Sequence, residues 1–121
     1  MLLNDLYTII STKKLTETTT EVVLQINAAH DIFKGHLPEQ PVMPGVCQMQ
    51  VLTEVASDIL NRELKLKDAS NIKFLAMLNP RTCGEVTLQV EVKSQTEEAV
   101  KIIGKLYTEE HIYLKFRGVF Q

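Results

Sequence analysis

One loop and the helix start that follows it carry the residue types that could do chemistry together. His36 lies in the segment of residues 33–46, which reads FKGHLPEQPVMPGV and contains three prolines. Each proline fixes a backbone angle, so the loop can hold an imidazole in place without regular secondary structure. Pro44 and Gly45 then suit the first turn of a helix. A titratable base beside the free N–H groups and positive end of a helix favours proton removal next to a carbonyl group.

The element after this loop is predicted to be a long helix over residues 46–60. Its apolar positions form a wider face than a surface helix needs, so we expect it to be buried on most sides. A narrow polar stripe runs along it at Gln50, Glu54, Ser57 and Asn61, spaced three and four residues apart. The stripe is the polar face of an otherwise apolar helix.

The remaining elements are predicted to be strands. Two extended segments lie within residues 5–27 around a polar turn, and the most regular alternation of apolar and polar residues runs over 86–93. Residues 99–107 and 112–120 repeat that alternation, and residues 72–78 form a weaker strand. Two strands, one long helix and about four further strands predict an α+β domain with the helix packed on an antiparallel sheet.

Length and composition set the class of protein. The 121 residues correspond to one domain over 1–121, long enough to fold without a disulfide or a metal. A net charge of −2 argues against a general nucleic-acid binder. Residues 1–5 lack a basic region and a long apolar run, and no apolar stretch reaches membrane length, so we expect neither a signal peptide nor a membrane span. Cys47 and Cys83 fit no metal or redox spacing, so we expect no metal and no other cofactor. So few thiols favour a reducing compartment, by default the cytoplasm. We also expect no membrane partner.

The loop and the helix start resemble the active-site motif of the bacterial β-hydroxyacyl-acyl carrier protein dehydratases. The similar pattern is Gly-His-hydrophobic-Pro-x-x-Pro-Val-Met-Pro-Gly-Val, and Lys73-Phe74 followed by Pro80-x-x-x-Gly84-Glu85 is similar to a second region of that family. The resemblance covers nearly the whole chain. It implies a hotdog fold, in which a sheet of about six strands wraps a long helix, and a 3-hydroxyacyl thioester substrate on acyl carrier protein.

The resemblance also implies roles for particular residues. His36 matches the catalytic histidine, which removes the α-proton of the thioester. Pro44 and Gly45, with the N–H of Val46, match the helix start that binds the thioester carbonyl. The family has an acidic residue fourteen positions after the histidine, where this chain has Gln50.

Carboxylate and amide are exchanged along the helix relative to the family. The family usually has glutamine one turn after its acid, and this chain has Glu54 there, about 6 Å further along the axis than Gln50. An amide cannot donate a proton as a carboxylic acid does. To replace the acid of the family, Glu54 would need a pKa raised by burial. If Glu54 instead points to solvent, we expect weak activity that Gln50→Glu increases.

Three functions therefore stay open from the sequence. The first is a dehydratase with His36 as base. The second is a catalytically silent hotdog subunit that binds acyl thioesters or pairs with an active paralogue. The third is an acyl thioesterase in which Glu54 activates water.

Assembly and partners follow from the same reasoning. Family hotdog domains pair so that each site takes its histidine from one subunit and its helix residue from the other. With so apolar a helix, we predict a homodimer or heterodimer whose interface buries roughly 2,000 Å² or more. The basic cluster Arg62, Lys65, Lys67 and Lys73 is either a solvated face or a dock for an acidic carrier protein.

Overall fold

The fold combines one long helix with one antiparallel sheet. The computed structural model describes residues 1–34 and 41–121. Over these ranges the elements are β1 (Tyr7–Lys14), β2 (Thr19–Ile26), α1 (Gly45–Leu60), β3 (Leu66–Phe74), β4 (Glu85–Gln95), β5 (Val100–Tyr107) and β6 (Ile112–Phe120), with a short 3-10 turn at Asp31–Phe33. The six strands form a single sheet in the order β1-β2-β4-β5-β6-β3. The α+β prediction, with about six strands and one helix, is confirmed.

The core lies between the helix and the inner face of the sheet. Alternation in β4 buries Val86, Leu88 and Val90 on that face, as the sequence pattern predicts. The helix packs closely against β5, where a Cβ on Gly104 would lie 3.0 Å from Leu52 Cδ1. Glycine at this position therefore lets the helix approach the sheet.

The weak strand predicted over residues 72–78 has different bounds. β3 runs from Leu66 to Phe74, pairs only with β6, and is exposed along almost its whole length. Its first half is polar because it lies at the sheet edge, so it lacks the alternation that the sequence analysis relied on. From Leu75 onward the chain leaves the sheet, and Leu78 is buried in a connecting segment. The predicted strand thus extends four residues too far, into a connecting segment where Leu78 is buried but Leu75 and Met77 are exposed.

The helix begins and ends close to the predicted positions. Pro44 precedes it, and the N–H groups of Cys47 and Gln48 donate to the Pro44 carbonyl at 3.0 and 3.1 Å. At the other end Asn61 adopts a left-handed conformation with φ of 49°, which stops the helix. No helix in the described part of the chain is long and apolar enough to cross a membrane.

Candidate active site

The start of α1 offers two backbone donors. No side chain among the described residues caps the helix, and its first hydrogen bonds there come from Cys47 and Gln48. The N–H groups of Gly45 and Val46 therefore precede the helical hydrogen-bond pattern and lie at the positive end of the helix dipole. The Val46 side chain is 77% exposed, so its surroundings leave room for a ligand. This arrangement can bind a carbonyl oxygen that gains negative charge.

An aromatic ring lies against this helix start. A Cβ on Gly45 would lie 2.6 Å from Cζ of Phe74, so only glycine leaves room for the ring in its present position. Phe74 is 49% exposed and forms an apolar wall beside the two donors. The two sequence regions that resemble the dehydratase family are thus brought into contact.

Gln48 is a polar residue of this region that the sequence analysis did not single out. It is buried, and its Nε2 donates to the Met43 carbonyl at 3.2 Å. The Met43 N–H in turn donates to the Leu78 carbonyl at 2.8 Å, so the backbone just before the helix is held from two sides. Gln48 Oε1 is buried without a hydrogen-bond partner among the described residues. A glutamine inside the wide apolar face was the signal that could have identified it.

The polar stripe of the helix contains a direct link between the two exchanged residues. Gln50 Nε2 donates to Glu54 Oε2 at 2.8 Å. Because a carboxylate can only accept, this contact fixes which end of the Gln50 amide faces Glu54. The carbonyl oxygen of Gln50 points away from Glu54, and the residue is exposed. What Gln50 can offer to a ligand is therefore its carbonyl oxygen as an acceptor, beside the second N–H of the same amide.

Glu54 is fully engaged with the N-terminal segment of the chain. The Leu2 N–H donates to both carboxylate oxygens at 3.0 and 2.8 Å, the Leu3 N–H to Oε1 at 3.0 Å, and the Tyr7 hydroxyl to Oε1 at 3.1 Å. With the Gln50 amide, these donors occupy the roughly four lone-pair sites of a carboxylate. Glu54 thus anchors residues 1–7 to the helix.

The ionisation of Glu54 follows from these contacts. Burial raises the pKa of its carboxyl, but hydrogen bonds from Leu2, Gln50, Leu3 and Tyr7 outweigh burial and hold that pKa below the ordinary value. The pKa of Tyr7 is raised, first by burial and then by the negative charge of Glu54. The raised pKa that a Glu54 acid would require is therefore absent, because the donors stabilise the charged form. Glu54 also does not point freely into solvent, which was the other expectation.

The predicted stripe lines one cleft. Gln50, Glu54, Ser57 and Asn61 all border an open cleft of about 490 Å³ between the helix and the N-terminal segment. The periodicity of the sequence therefore gave the correct face of the helix. Ser57 takes a structural part there, since its hydroxyl donates to Thr53 O at 2.7 Å and accepts from the Leu64 N–H at 3.1 Å.

The predicted base, His36, lies outside the described residues. The chain on either side of residues 35–40 is well anchored, because Phe33 and Met43 are 2% and 1% exposed. Of the predicted site residues, Gly45 and Val46 thus lie at the helix start, and Gln50 is hydrogen-bonded to Glu54.

Two other sequence interpretations are resolved by the packing. Cys47 is buried and its pKa is raised by that burial, so it is a packed thiol rather than a nucleophile. Arg62 of the basic cluster donates to the Thr96 and Glu97 carbonyls at 2.6 and 2.7 Å and holds the turn between β4 and β5. Within the described ranges, no group of three His, Cys, Asp or Glu residues could hold a metal ion.

Comparison with known proteins decides the family. The sequence model of the ApeI-like family, described as ApeI dehydratase, matches residues 12–111. The chain belongs to the ApeI-like dehydratase family. It is also 34% identical over 56 residues to the 3-hydroxyacyl-acyl-carrier-protein dehydratase FabZ of Rickettsia bellii, a match that covers 40% of this ApeI-like chain and 39% of that protein.

Solved structures confirm the hotdog fold of this ApeI-like chain. The dehydratase heterocomplex ApeI:P from Xenorhabdus doucetiae matches with a TM-score of 0.72 and 19% identity, over 93% of this chain and 95% of that one. The (R)-hydratase from A. caviae involved in PHA biosynthesis matches with a TM-score of 0.62 and 13% identity, over 90% and 98%. At these identities the likeness concerns the fold.

Proposed function

We propose that this ApeI-like chain is a cytoplasmic dehydratase that removes water from 3-hydroxyacyl thioesters on acyl carrier protein, in fatty acid or related acyl-chain synthesis. The observation that carries the proposal is the helix start at Gly45 and Val46, which no described side chain caps and which lies beside the Phe74 ring. In the sequence this helix start follows the segment that contains His36. Membership of a dehydratase family supports it.

In the proposed reaction His36 takes the α-proton of the thioester. The electron pair of that C–H bond moves toward the carbonyl, whose oxygen becomes more negative and is stabilised by the Gly45 and Val46 N–H groups. The electrons then form the double bond to C3, the C3–O bond breaks, and the hydroxyl leaves with a proton as water.

The proton for the leaving hydroxyl distinguishes this chain from the family pattern. Gln50 offers an acceptor, which can receive a hydrogen bond from the 3-hydroxyl group and orient it. Glu54 has its lone pairs occupied and its pKa lowered, so it is a poor acid. We assign the proton to the His36 imidazolium formed in the first step. One residue serving both steps fits weak or specialised activity.

A second hotdog subunit, either another copy of this chain or a paralogue, is part of the proposal. Apolar side chains near the helix start are uncovered in the single chain: Val46 is 77% exposed, Met77 73%, Leu75 51%, Phe74 49% and Ile72 37%. Large apolar side chains exposed together along residues 72–77 are typical of a protein interface. The relative from Xenorhabdus doucetiae was solved as a heterocomplex, which supports pairing of this kind.

One alternative function is favoured by a specific observation. Because Gln50 presents an acceptor where the family has an acid, the chain could bind acyl thioesters without turning them over and serve as the silent subunit of a pair. The thioesterase alternative loses support, because Glu54 has no lone pair left to activate water.

Product analysis separates these functions. The purified protein is incubated with a 3-hydroxyacyl thioester, and the enoyl product and the free thiol are measured separately. Enoyl formation that is lost in His36→Ala, and retained when the exposed His111 is replaced by alanine, supports the dehydratase. Binding without any product would assign the silent subunit, and release of free thiol would assign the thioesterase.

A further inference from the structure

Three lysines lie directly opposite one another across three strands on the outer face of the sheet. Lys115 of β6 is paired with Lys73 of β3 on one side and with Lys105 of β5 on the other. Residues directly opposite in antiparallel strands point to the same face, with Cβ atoms about 5 Å apart. Lys73 and Lys115 are exposed, and the Nζ of Lys105 lies 4.4 Å from the centre of the Tyr107 ring. The row therefore concentrates positive charge on the side of the sheet away from the helix.

Two further cations extend this row. Arg117 is two residues from Lys115 on β6 and Lys101 lies on β5, and both are exposed. Two shallow grooves of about 300 and 320 Å³ border these side chains, and Arg117 lies at the edge of both. We call Lys73, Lys101, Lys105, Lys115 and Arg117 the cationic face. Among the described residues, the observed salt bridges include none of these five.

Such a cluster is unfavourable for the isolated fold. Like charges directly opposite on neighbouring strands destabilise a sheet. The whole chain carries a net charge of −2, so the cationic face stands out on an otherwise acidic molecule. A partner that brings negative charge would relieve the repulsion and gain association rate and affinity from it.

The neighbouring charges indicate which kind of polyanion fits. Further across the same outer face, Glu91 of β4 is opposite Ile103, and Glu21 of β2 is opposite Gln89. A nucleic acid crossing the sheet would meet these carboxylates, whereas a protein with an acidic stripe can cover the cations alone. The face is also close to the site, since Lys73 directly precedes Phe74, whose ring contacts Gly45.

We propose that the cationic face is the docking surface for an acidic protein partner, namely the carrier protein that presents the thioester. This inference rests on the proposed function for the identity of the partner. The sequence alone could not group these residues, because only Lys73 of the predicted basic cluster belongs to the face. The strand register brings the other four to it.

The test compares Lys115→Glu and Arg117→Glu with the control Lys14→Glu. Lys14 lies at the far edge of the sheet on β1, and its ion pair with Glu17 is exposed, so the control has little effect on the fold. Replacing Lys115 places a glutamate between two lysines, so the melting temperature should be unchanged or raised and a loss of binding is not a loss of folding. Binding of holo-acyl carrier protein is measured by calorimetry at about 50 mM and about 300 mM salt.

We expect each face variant to weaken carrier binding about tenfold or more at low salt. The control variant should change binding less than about threefold. Higher salt should weaken binding by the wild type. Equal losses in the control and the face variants, no wild-type binding, or equally tight binding of double-stranded DNA would overturn the proposal. Dehydration of an N-acetylcysteamine thioester, which has no carrier, should be unaffected by Lys115→Glu. If the wild type does not dehydrate this thioester, the proposed function is contradicted. The docking proposal is then still tested by the calorimetry.

Discussion

The amide of Gln50 donates a hydrogen bond of 2.8 Å to the carboxylate of Glu54, one helical turn away. This contact affects the chemistry of both residues. It turns the carbonyl oxygen of Gln50 outward, and it helps to keep Glu54 charged. Relative to the dehydratases, the acid and the amide are exchanged along the helix. As a result Gln50 presents a hydrogen-bond acceptor, and Glu54 anchors the N-terminal segment instead of serving as an acid one turn further along.

Loss of the Glu54 anchor should destabilise the protein in a pH-dependent way. We expect Glu54→Ala to lower the free energy of unfolding by about 1–3 kcal/mol near neutral pH, because Leu2, Leu3 and Tyr7 lose a charged acceptor. Since the pKa of Glu54 is lowered in the fold, its contribution is present above the ordinary value of 4.5 and is lost as the pH falls through the lowered value.

Urea unfolding at several pH values checks this expectation. The gap between the wild type and Glu54→Ala should shrink on acidification below about pH 4.5, while Glu109→Ala, an exposed control in the turn between β5 and β6, should match the wild type. Hydrogen exchange at Leu2 and Leu3 should accelerate in Glu54→Ala alone. A constant gap at all pH values would mean that the charge of Glu54 is not what holds the N-terminal segment.

The contact between Gly45 and Phe74 should matter more for activity than for stability. In Gly45→Ala the new Cβ displaces the half-exposed ring, while alanine favours the helix, so the free energy of unfolding should change by less than about 1 kcal/mol. We expect kcat/KM for dehydration to fall about tenfold or more. Combining Gly45→Ala with Phe74→Leu, which restores space, should cost less than the sum of the two single changes; additive losses would show that the two residues act separately.

The exposed apolar surface should be a subunit interface. At micromolar concentration the protein should sediment as a dimer, alone or with its paralogue. Met77→Asp should weaken association, because it puts a charge in place of a 73% exposed apolar side chain that the interface would bury. Ile10→Asp is the control, since Ile10 is 51% exposed on the distant edge strand β1. A stable wild-type monomer in the presence of the candidate paralogue would contradict this prediction.

Most of the fold could be predicted from the sequence, because strand alternation and the wide apolar face of the helix are local patterns. The edge strand β3 could not, since an exposed edge has no buried face to impose alternation. The site could be predicted only in part. Gly45 and Gln50 lie in a recognisable motif. The anchoring of Glu54 depends on backbone N–H groups 52 and 51 residues earlier in the chain, which no motif reports.

Removal of the proposed base should abolish most turnover. His36→Ala should reduce dehydration about 10²–10⁴-fold, on the scale of a lost general base, while binding of an acyl ligand survives. Rates with a 3-hydroxyacyl thioester and ligand affinities by calorimetry measure the two effects. Unchanged turnover would remove His36 from the mechanism.

The most direct test of the account is the rate of enoyl formation by the wild type and by Gln50→Glu. A glutamate at residue 50 would lie beside the Glu54 carboxylate, whose negative charge raises the pKa of the new carboxyl. The variant thereby gains an acid at the family position, so we predict that it dehydrates a 3-hydroxyacyl thioester faster than a weak wild type, and that this gain declines as the pH rises and the new carboxyl loses its proton. Robust wild-type turnover that is lost in Glu54→Gln and not improved by Gln50→Glu would contradict the account and assign the acid to Glu54.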